Sequence, residues 1–430
     1  MQVTANAHRP PSGGLAGRFL GALTLPRPVW ARSRLDIGWA DLAAAAVASS
    51  NPGGPSAEAI AQRWDPDGAV FLTVRTAWDA LLAELATRPG PDPEAGCPGE
   101  VVVTAVNIPD MFELLAHHGF VPVPVDIEPG TLAPAPGAIA AAVNERTRLC
   151  LVTHLLGSRV DMDAVFAELD SAGSSVPVVE DCAQAFEGLE HRGHPRSLAA
   201  LFSFGPIKSS SALGGCLARI ADAELRQAAL ARTRAYPQQS RRGYLGVVTK
   251  YAALKAMTEP HLYAAFVGAC ALTGRSHDAV INGAVLGLEG DEYWAALRRQ
   301  PSGALLATLE RRLEGYDGVR LSRRRAHGEV LRARLRGRVA LLGDQAPWRS
   351  WWQVAVVSSN PEGLIDALRA EGFDATRGSS RLRPPQLEGG ASTPLAEAAM
   401  ASLVYVPAYP ELPASELERL AQLILETESR

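Results

Sequence analysis

The chain has 430 residues, of which 47% are hydrophobic and 20% charged, and a net charge of −4. That length argues for two domains, or one large domain with additions, and the composition is that of an ordinary globular protein. The weak acidic balance removes the electrostatic case for nucleic-acid binding. No run of about 18 apolar residues offers a membrane span, the longest apolar stretch being Leu262–Leu272.

Residues 1–35 read as an arm rich in Pro, Gly and Arg, without the charged-then-apolar pattern of a signal peptide. From Asp36 onward, short apolar runs alternate with helical patterns. Strands are predicted at Val70–Thr73, Val101–Ala105, Val121–Val125, Leu149–Thr153, Val176–Glu180, Leu201–Phe204 and Gly215–Ile220. Helices are predicted between them at Ala77–Ala86, Phe112–His118, Pro136–Val143 and Met162–Ala172. Near-continuous apolar strands separated by helices indicate an α/β layer with a mainly parallel sheet over residues 36–236.

Residues 237–296 break that rhythm and read as a helical insert, with a break at Glu259-Pro260. A long amphipathic helix is predicted from Ser302 past Arg323, inside a smaller C-terminal α+β unit over residues 297–430. That unit has strands near Trp351–Val357 and Leu403–Val406 and helices at Pro361–Glu371 and Ala414–Thr427. Five cysteines, Cys97, Cys150, Cys182, Cys216 and Cys270, show no metal-ligand spacing, so no metal is expected. Buried free thiols fit a reducing, cytoplasmic setting.

Lysine is scarce. The chain carries only Lys208, Lys250 and Lys255, and arginine cannot replace lysine in amine chemistry because it never loses its proton. Lys208 follows the apolar run Leu201–Phe204 and precedes the small-residue turn at Gly214-Gly215. Upstream, Val178-Val179-Glu180-Asp181 ends a second apolar run on a carboxylate. An amine and an acid at the ends of neighbouring strands match what pyridoxal phosphate requires, a partner for its aldehyde and one for its ring nitrogen. Strand alternation turns Glu180 away from Asp181.

These segments resemble the DegT/StrS family of fold-type-I pyridoxal-phosphate aminotransferases, many of which act on keto sugars attached to nucleotides. The matching runs are Glu100–Ala105, Gly119–Asp126, His154–Asp163, Val179–Ala185 and Phe202–Lys208 with Gly214-Gly215, and, near the end, Leu403–Leu412. The likeness is close over about residues 36–235 and looser over residues 300–430. By resemblance, Lys208 would hold the cofactor through a Schiff base and Asp181 would pair with the pyridinium nitrogen. Gln184 would pack beside the ring, and Ser203 would bind the phosphate. Thr76 would sit where backbone N–H groups at a helix start collect that phosphate; Arg75, which departs from the family pattern, either supplies a second phosphate contact or faces elsewhere. His154, at the end of a strand on the same sheet edge, would lie near the cofactor, or else serve as a satisfied structural histidine.

Three positions depart from the family pattern. Ile108 stands where an aromatic ring usually stacks on the cofactor, and an aliphatic side chain covers a ring face without the π contact. Val74-Arg75-Thr76 replaces the usual Ser-Gly-Thr at the phosphate loop, and Arg298-Arg299-Gln300-Pro301-Ser302 stands where the family has an asparagine that reaches the partner subunit's phosphate. The expected activity is an aminotransferase that moves an amino group from an amino acid, glutamate by family likeness, to a keto or aldehyde acceptor. The resemblance also implies a homodimer. A pyridoxal-phosphate enzyme of another reaction type (elimination, decarboxylation or condensation) and a non-catalytic relative are the alternatives. A nicotinamide oxidoreductase lacks its Gly-x-Gly-x-x-Gly.

Overall fold

The computed structural model of the chain describes residues 27–51, 53–88, 99–285, 290–378, 381–385 and 392–429. Most of the expected N-terminal arm, and Cys97, lie outside these residues.

Valine-rich and β-branched segments form a seven-stranded sheet. In chain order the first strands are β1 (Gly68–Phe71), β2 (Glu100–Thr104), β3 (Val121–Val125), β4 (Thr147–Thr153) and the two-residue β5 (Ser158–Arg159). Then come β6 (Val178–Asp181), β7 (Ala199–Ser203) and β8 (Cys216–Ile220). The order across the sheet is β1-β8-β7-β6-β4-β2-β3, and β5 lies outside it. Strands β3, β2, β4, β6 and β7 run parallel, whereas β8 is antiparallel to both β7 and β1. Helices cover both faces, which is why β2, β6 and β8 are buried along their whole length.

On one face, Trp78, Leu81 and Leu82 of the helix Val74–Thr87 pack with Leu114 and Leu115 of the helix Pro109–His117. On the other, Leu42, Tyr244, Leu305 and Leu309 pack on Phe202 and Leu217. Parallel β2, β4, β6 and β7 bring their C-terminal ends to one edge, the place where open α/β sheets bind ligands.

A second layer follows in the chain. Strands β10 (Val354–Val357) and β11 (Leu403–Val406) pair antiparallel, and the short β9 (Trp348–Arg349) pairs with β5. Helices Gly318–Leu335, Pro361–Ala370 and Ala414–Glu428 bury Leu331, Leu364, Leu420 and Ile424 around β10 and β11.

Several boundaries differ from the sequence reading for local reasons. The long helix after Ser302 is two helices, Gly303–Glu314 and Gly318–Leu335. Asp317 breaks the run by accepting from the N–H groups of Val319 and Arg320, restarting the helix as an N-cap. The helix expected at Ala77–Ala86 begins at Val74 because Thr73 Oγ1 accepts from Thr76 N at 3.1 Å and caps it. Helix Pro109–His117 starts earlier than Phe112 because Pro109 occupies its first position. Trp351 and Trp352 stand before β10, not in it, and Trp351 has a positive φ of 53°.

Residues 237–296 contain the helices Arg241–Met257, Pro260–Leu272, His277–Val285 and Gly290–Leu297, the last closing one residue beyond the expected insert. Tyr263, from this segment, donates to Asp374 at 2.5 Å, and His277 Nε2 lies 3.1 Å from the same carboxylate. Among the described residues no helix is long and apolar enough to cross a membrane.

Candidate active site

Six of the eight residues singled out in the sequence line one cavity of about 320 Å³ at the sheet edge: Arg75, Ile108, Asp181, Gln184, Ser203 and Lys208. Its volume falls in the usual range for small-molecule sites.

Asp181 is the last residue of β6, so the strand aims it out of the sheet edge while Glu180 turns to the opposite face. It is buried, and both carboxylate oxygens are held. Asn107 Nδ2 donates to Oδ2 at 3.1 Å, and the Ala183 N–H donates to Oδ1 at 3.0 Å. Gln184, three residues past the end of β6, is fixed by accepting the Leu156 N–H at 2.8 Å.

Lys208 lies in the connection between β7 and β8. Its N–H closes a turn on Gly205 O at 3.0 Å, and the loop behind it passes through positive φ at Ser210 and Leu213. Gly215, with φ 93°, returns the chain to β8 at a conformation that favours glycine. Burial pushes the Lys208 ammonium down to about 8, with Asp181 opposing the shift and Arg75 adding to it. Its Nζ stands 4.6 Å from the centre of the Trp352 ring. Trp352 is itself anchored by donating from Nε1 to Ile207 O at 3.1 Å.

Thr73, Val74 and Arg75 bring the start of the helix Val74–Thr87 to the cavity wall. The first N–H groups of a helix have no intrahelical acceptor, which suits this corner to an anion. Arg75 adds positive charge there, although its Nη1 is paired with Asp110 at 2.8 Å. Arg381 reaches the same Asp110 at 3.0 Å and also lines the cavity.

Two expected residues are placed elsewhere. Thr76 is fully buried, and its hydroxyl donates to Leu297 O at 2.8 Å, so Thr73 takes the position at the cavity. His154 does not line the cavity. It sits on the Glu180 side, where its Nδ1 accepts the Val160 N–H at 3.0 Å and its Nε2 pairs with Glu180 at 3.0 Å. An accepting Nδ1 leaves the proton on Nε2, so the ring is a satisfied neutral donor. Arg298, the expected replacement for an asparagine that reaches a partner, pairs with Asp79 of its own chain at 3.0 and 2.9 Å.

The sequence reading passed over Asn107, Thr73, Trp352 and Arg381. Thr73 was legible in part, because a threonine preceding a helical run is an N-cap signal. Nothing in the local pattern marks Asn107 or Trp352, which meet Asp181 and Lys208 across more than 70 and 140 residues of chain.

Residues 69–250 match the model of the DegT/DnrJ/EryC1/StrS aminotransferase family. An L-glutamine:2-deoxy-scyllo-inosose aminotransferase from Streptoalloteichus tenebrarius is 48% identical over 73 residues, 17% of this chain and 16% of that protein. A UDP-4-amino-4-deoxy-L-arabinose–oxoglutarate aminotransferase from Shewanella sediminis is 34% identical over 170 residues, 39% of this chain and 41% of that protein. The matched stretches thus span less than half the length of these relatives. In solved structures, the aminotransferase PseC of Helicobacter pylori, involved in the biosynthesis of pseudoaminic acid, superposes with a TM-score of 0.66. That match is at 13% identity, over 93% of this chain and 99% of PseC, and it shows the shared fold. The cavity's own residues fit pyridoxal phosphate: an amine with a lowered pKa, an ordered buried carboxylate and an anion-ready helix start stand around one space.

Proposed function

We propose that this chain, whose residues 69–250 match the model of the DegT/DnrJ/EryC1/StrS aminotransferase family, is a pyridoxal-phosphate-dependent aminotransferase. The observation that carries the reading is the convergence of Lys208 and Asp181 on one cavity at the C-terminal edge of the parallel strands. When bound, pyridoxal phosphate supplies an electron sink for the carbanion formed at the substrate carbon.

The chain's residues divide the remaining work. Lys208, with its ammonium at about 8, has a substantial neutral fraction near physiological pH and is the amine for the cofactor aldehyde. Released from that bond, the same amine moves a proton at the substrate carbon, for which a pKa near the working pH is suited. Asp181 stays in place through Asn107 and the Ala183 N–H, where it would pair with the ring nitrogen of the bound cofactor. Thr73, Val74, Arg75 and Ser203 hold the phosphate end, and Ile108 covers a ring face.

Glutamate or glutamine is the amino donor and a sugar-like or natural-product carbonyl the acceptor. The names of the two relatives above support this, since both are aminotransferases acting on sugar or cyclitol substrates. The working form is a homodimer, as family likeness implies, and light scattering at twice the chain mass checks it. The setting is cytoplasmic.

The test of the activity is optical. Purified protein should carry the visible absorbance of lysine-bound pyridoxal phosphate, and L-glutamate or L-glutamine without acceptor should bleach it. Lys208→Ala should lack both absorbance and activity. Retention of either by the variant would refute the assignment.

A further inference from the structure

Beside the main cavity lies a second, of about 60 Å³, which shares Ile207, Lys208 and Trp352 with it. The two spaces therefore meet at the reactive amine. The lining of the small cavity is cationic, with Arg32, Arg34, Lys208, Arg320 and Arg324 against one carboxylate, Asp36. Asp36 is already engaged by Arg312, Arg320 and Arg324 and by the Ser210 N–H. It has little left to offer the rest of the cavity.

Among the described residues, three donors around this space have no hydrogen-bond partner. Arg32 Nη1, Arg34 Nε and Tyr409 Oη are buried and unpaired. The Arg32 side chain is 6% exposed and Tyr409 is 8% exposed. Leaving buried donors unmade is costly, most of all on a charged group. The guanidiniums are also fixed from behind. Arg32 pairs with Asp374 through Nε at 2.8 Å and Nη2 at 3.0 Å and with Asp278, and Arg34 pairs with Glu259. Glu259 and Asp278 belong to the helical segment 237–296, as do Tyr263 and His277, which also grip Asp374. That segment therefore holds both arginines in place at the wall of the cavity.

We propose that this side cavity binds the carboxylate of a substrate whose reacting carbon stands at Lys208, with Arg32, Arg34 and Tyr409 as its donors. The inference rests on the aminotransferase reading for what occupies the main cavity, and it adds the recognition of substrate charge. A space of this size has room for a carboxylate. Charge-assisted bonds in a partly desolvated site are strong enough to select an anion over its neutral amide. The 237–296 segment thereby becomes part of the specificity apparatus.

The test uses the protein as purified, with its cofactor, and titrates it calorimetrically with glutarate, a dicarboxylate without an amine, and with glutaramide, its neutral counterpart. Glutarate should bind and glutaramide should not. Arg32→Gln should weaken glutarate by about ten-fold or more, the loss of one charge-assisted hydrogen bond. Tyr409→Phe keeps the ring packing and should weaken it several-fold with the melting temperature preserved, which covers the case that Arg32→Gln folds poorly. Equal binding of both probes, or unchanged glutarate affinity in Tyr409→Phe and in folded Arg32→Gln, would overturn the proposal. L-glutamate bleaching then identifies the source. A raised half-saturating concentration with an unchanged limiting rate assigns the carboxylate to the donor, and an unchanged one alongside weakened glutarate assigns it to the acceptor. If Lys208 carries no cofactor, the aminotransferase reading fails while the glutarate–glutaramide contrast still decides the cavity.

Discussion

Asn107 and Asp181 are 74 residues apart in sequence and share a hydrogen bond of 3.1 Å at the C-terminal edge of the sheet. The same Asn107 Nδ2 also donates to Thr153 Oγ1 at 2.9 Å, and its Oδ1 accepts the Ile108 N–H at 2.7 Å. Asn107 thus fixes the acid, the end of β4 and the backbone of the ring-covering Ile108 together.

Asn107→Ala should therefore act on the cofactor through Asp181. Removing the amide leaves a buried carboxylate oxygen short of one donor, at a cost of about 1–3 kcal/mol. Cofactor retention should fall by about ten-fold or more, and Asp181→Asn, which keeps the shape and removes the charge, should cost more in turnover than in retention. Equilibrium dialysis followed by single-turnover bleaching separates the two effects.

Lys208 should titrate far below an ordinary lysine. With three lysines in the chain, reductive ¹³C-methylation of the cofactor-free protein gives a carbon spectrum simple enough to follow, with Lys208→Arg to assign the signal. The Lys208 signal should move with a midpoint near 8. Because burial depresses this value, the neutral amine gains as pH rises through 8, and the rate of cofactor capture should climb over the same interval. A midpoint above 10 would contradict the buried setting.

Thr73 and Thr76 should separate site from scaffold. Thr73→Ala removes an N-cap, at about 1 kcal/mol, and disturbs the anion corner. Thr76→Val leaves the Leu297 carbonyl unpaired, at about 1–3 kcal/mol. Urea melts should register both losses, while only Thr73→Ala should weaken cofactor retention.

Glu187 offers a pH test away from the site. Burial raises its carboxyl from 4.5 to about 7, against the pull of Arg159, 2.7 Å away, and of Arg325. The folded value lies above the unfolded one, so this group's favourable contribution is complete below pH 4.5 and is lost as pH rises through 7. Glu187→Gln abolishes that loss. Relative to wild type, the variant should be more stable at pH 8 than at pH 5, by no more than about 3 kcal/mol. Thermal melts across that range measure the difference.

Much of this architecture was readable before any coordinates. The parallel strands are short apolar runs, and strand alternation alone separated Asp181 from Glu180. The long-helix expectation failed because the apolar spacing continues across Gly315-Tyr316-Asp317, while the chain stops there for a cap that only Asp317 signals. His154 was left open between cofactor and scaffold, and its pairing with Glu180 depends on which face of the sheet it meets. Thr76 looked like the phosphate residue because family spacing points to it, but the helix begins three residues earlier and turns its hydroxyl inward. Asn107, Trp352 and the unpaired arginine edges arise from contacts between distant segments, for which periodicity carries no signal.

Asp374 takes hydrogen bonds or ion pairs from Arg32, Tyr263, His277 and Arg369. Arg32, the segment holding Tyr263 and His277, and Arg369 just before the acid therefore close on a single inaccessible carboxylate. Removing the helices of residues 237–296 would take Tyr263 and His277 from that acid and leave it to Arg32 and Arg369. A chimera that carries those helices into another scaffold should therefore assemble properly only when Arg32 and Asp374 travel with them.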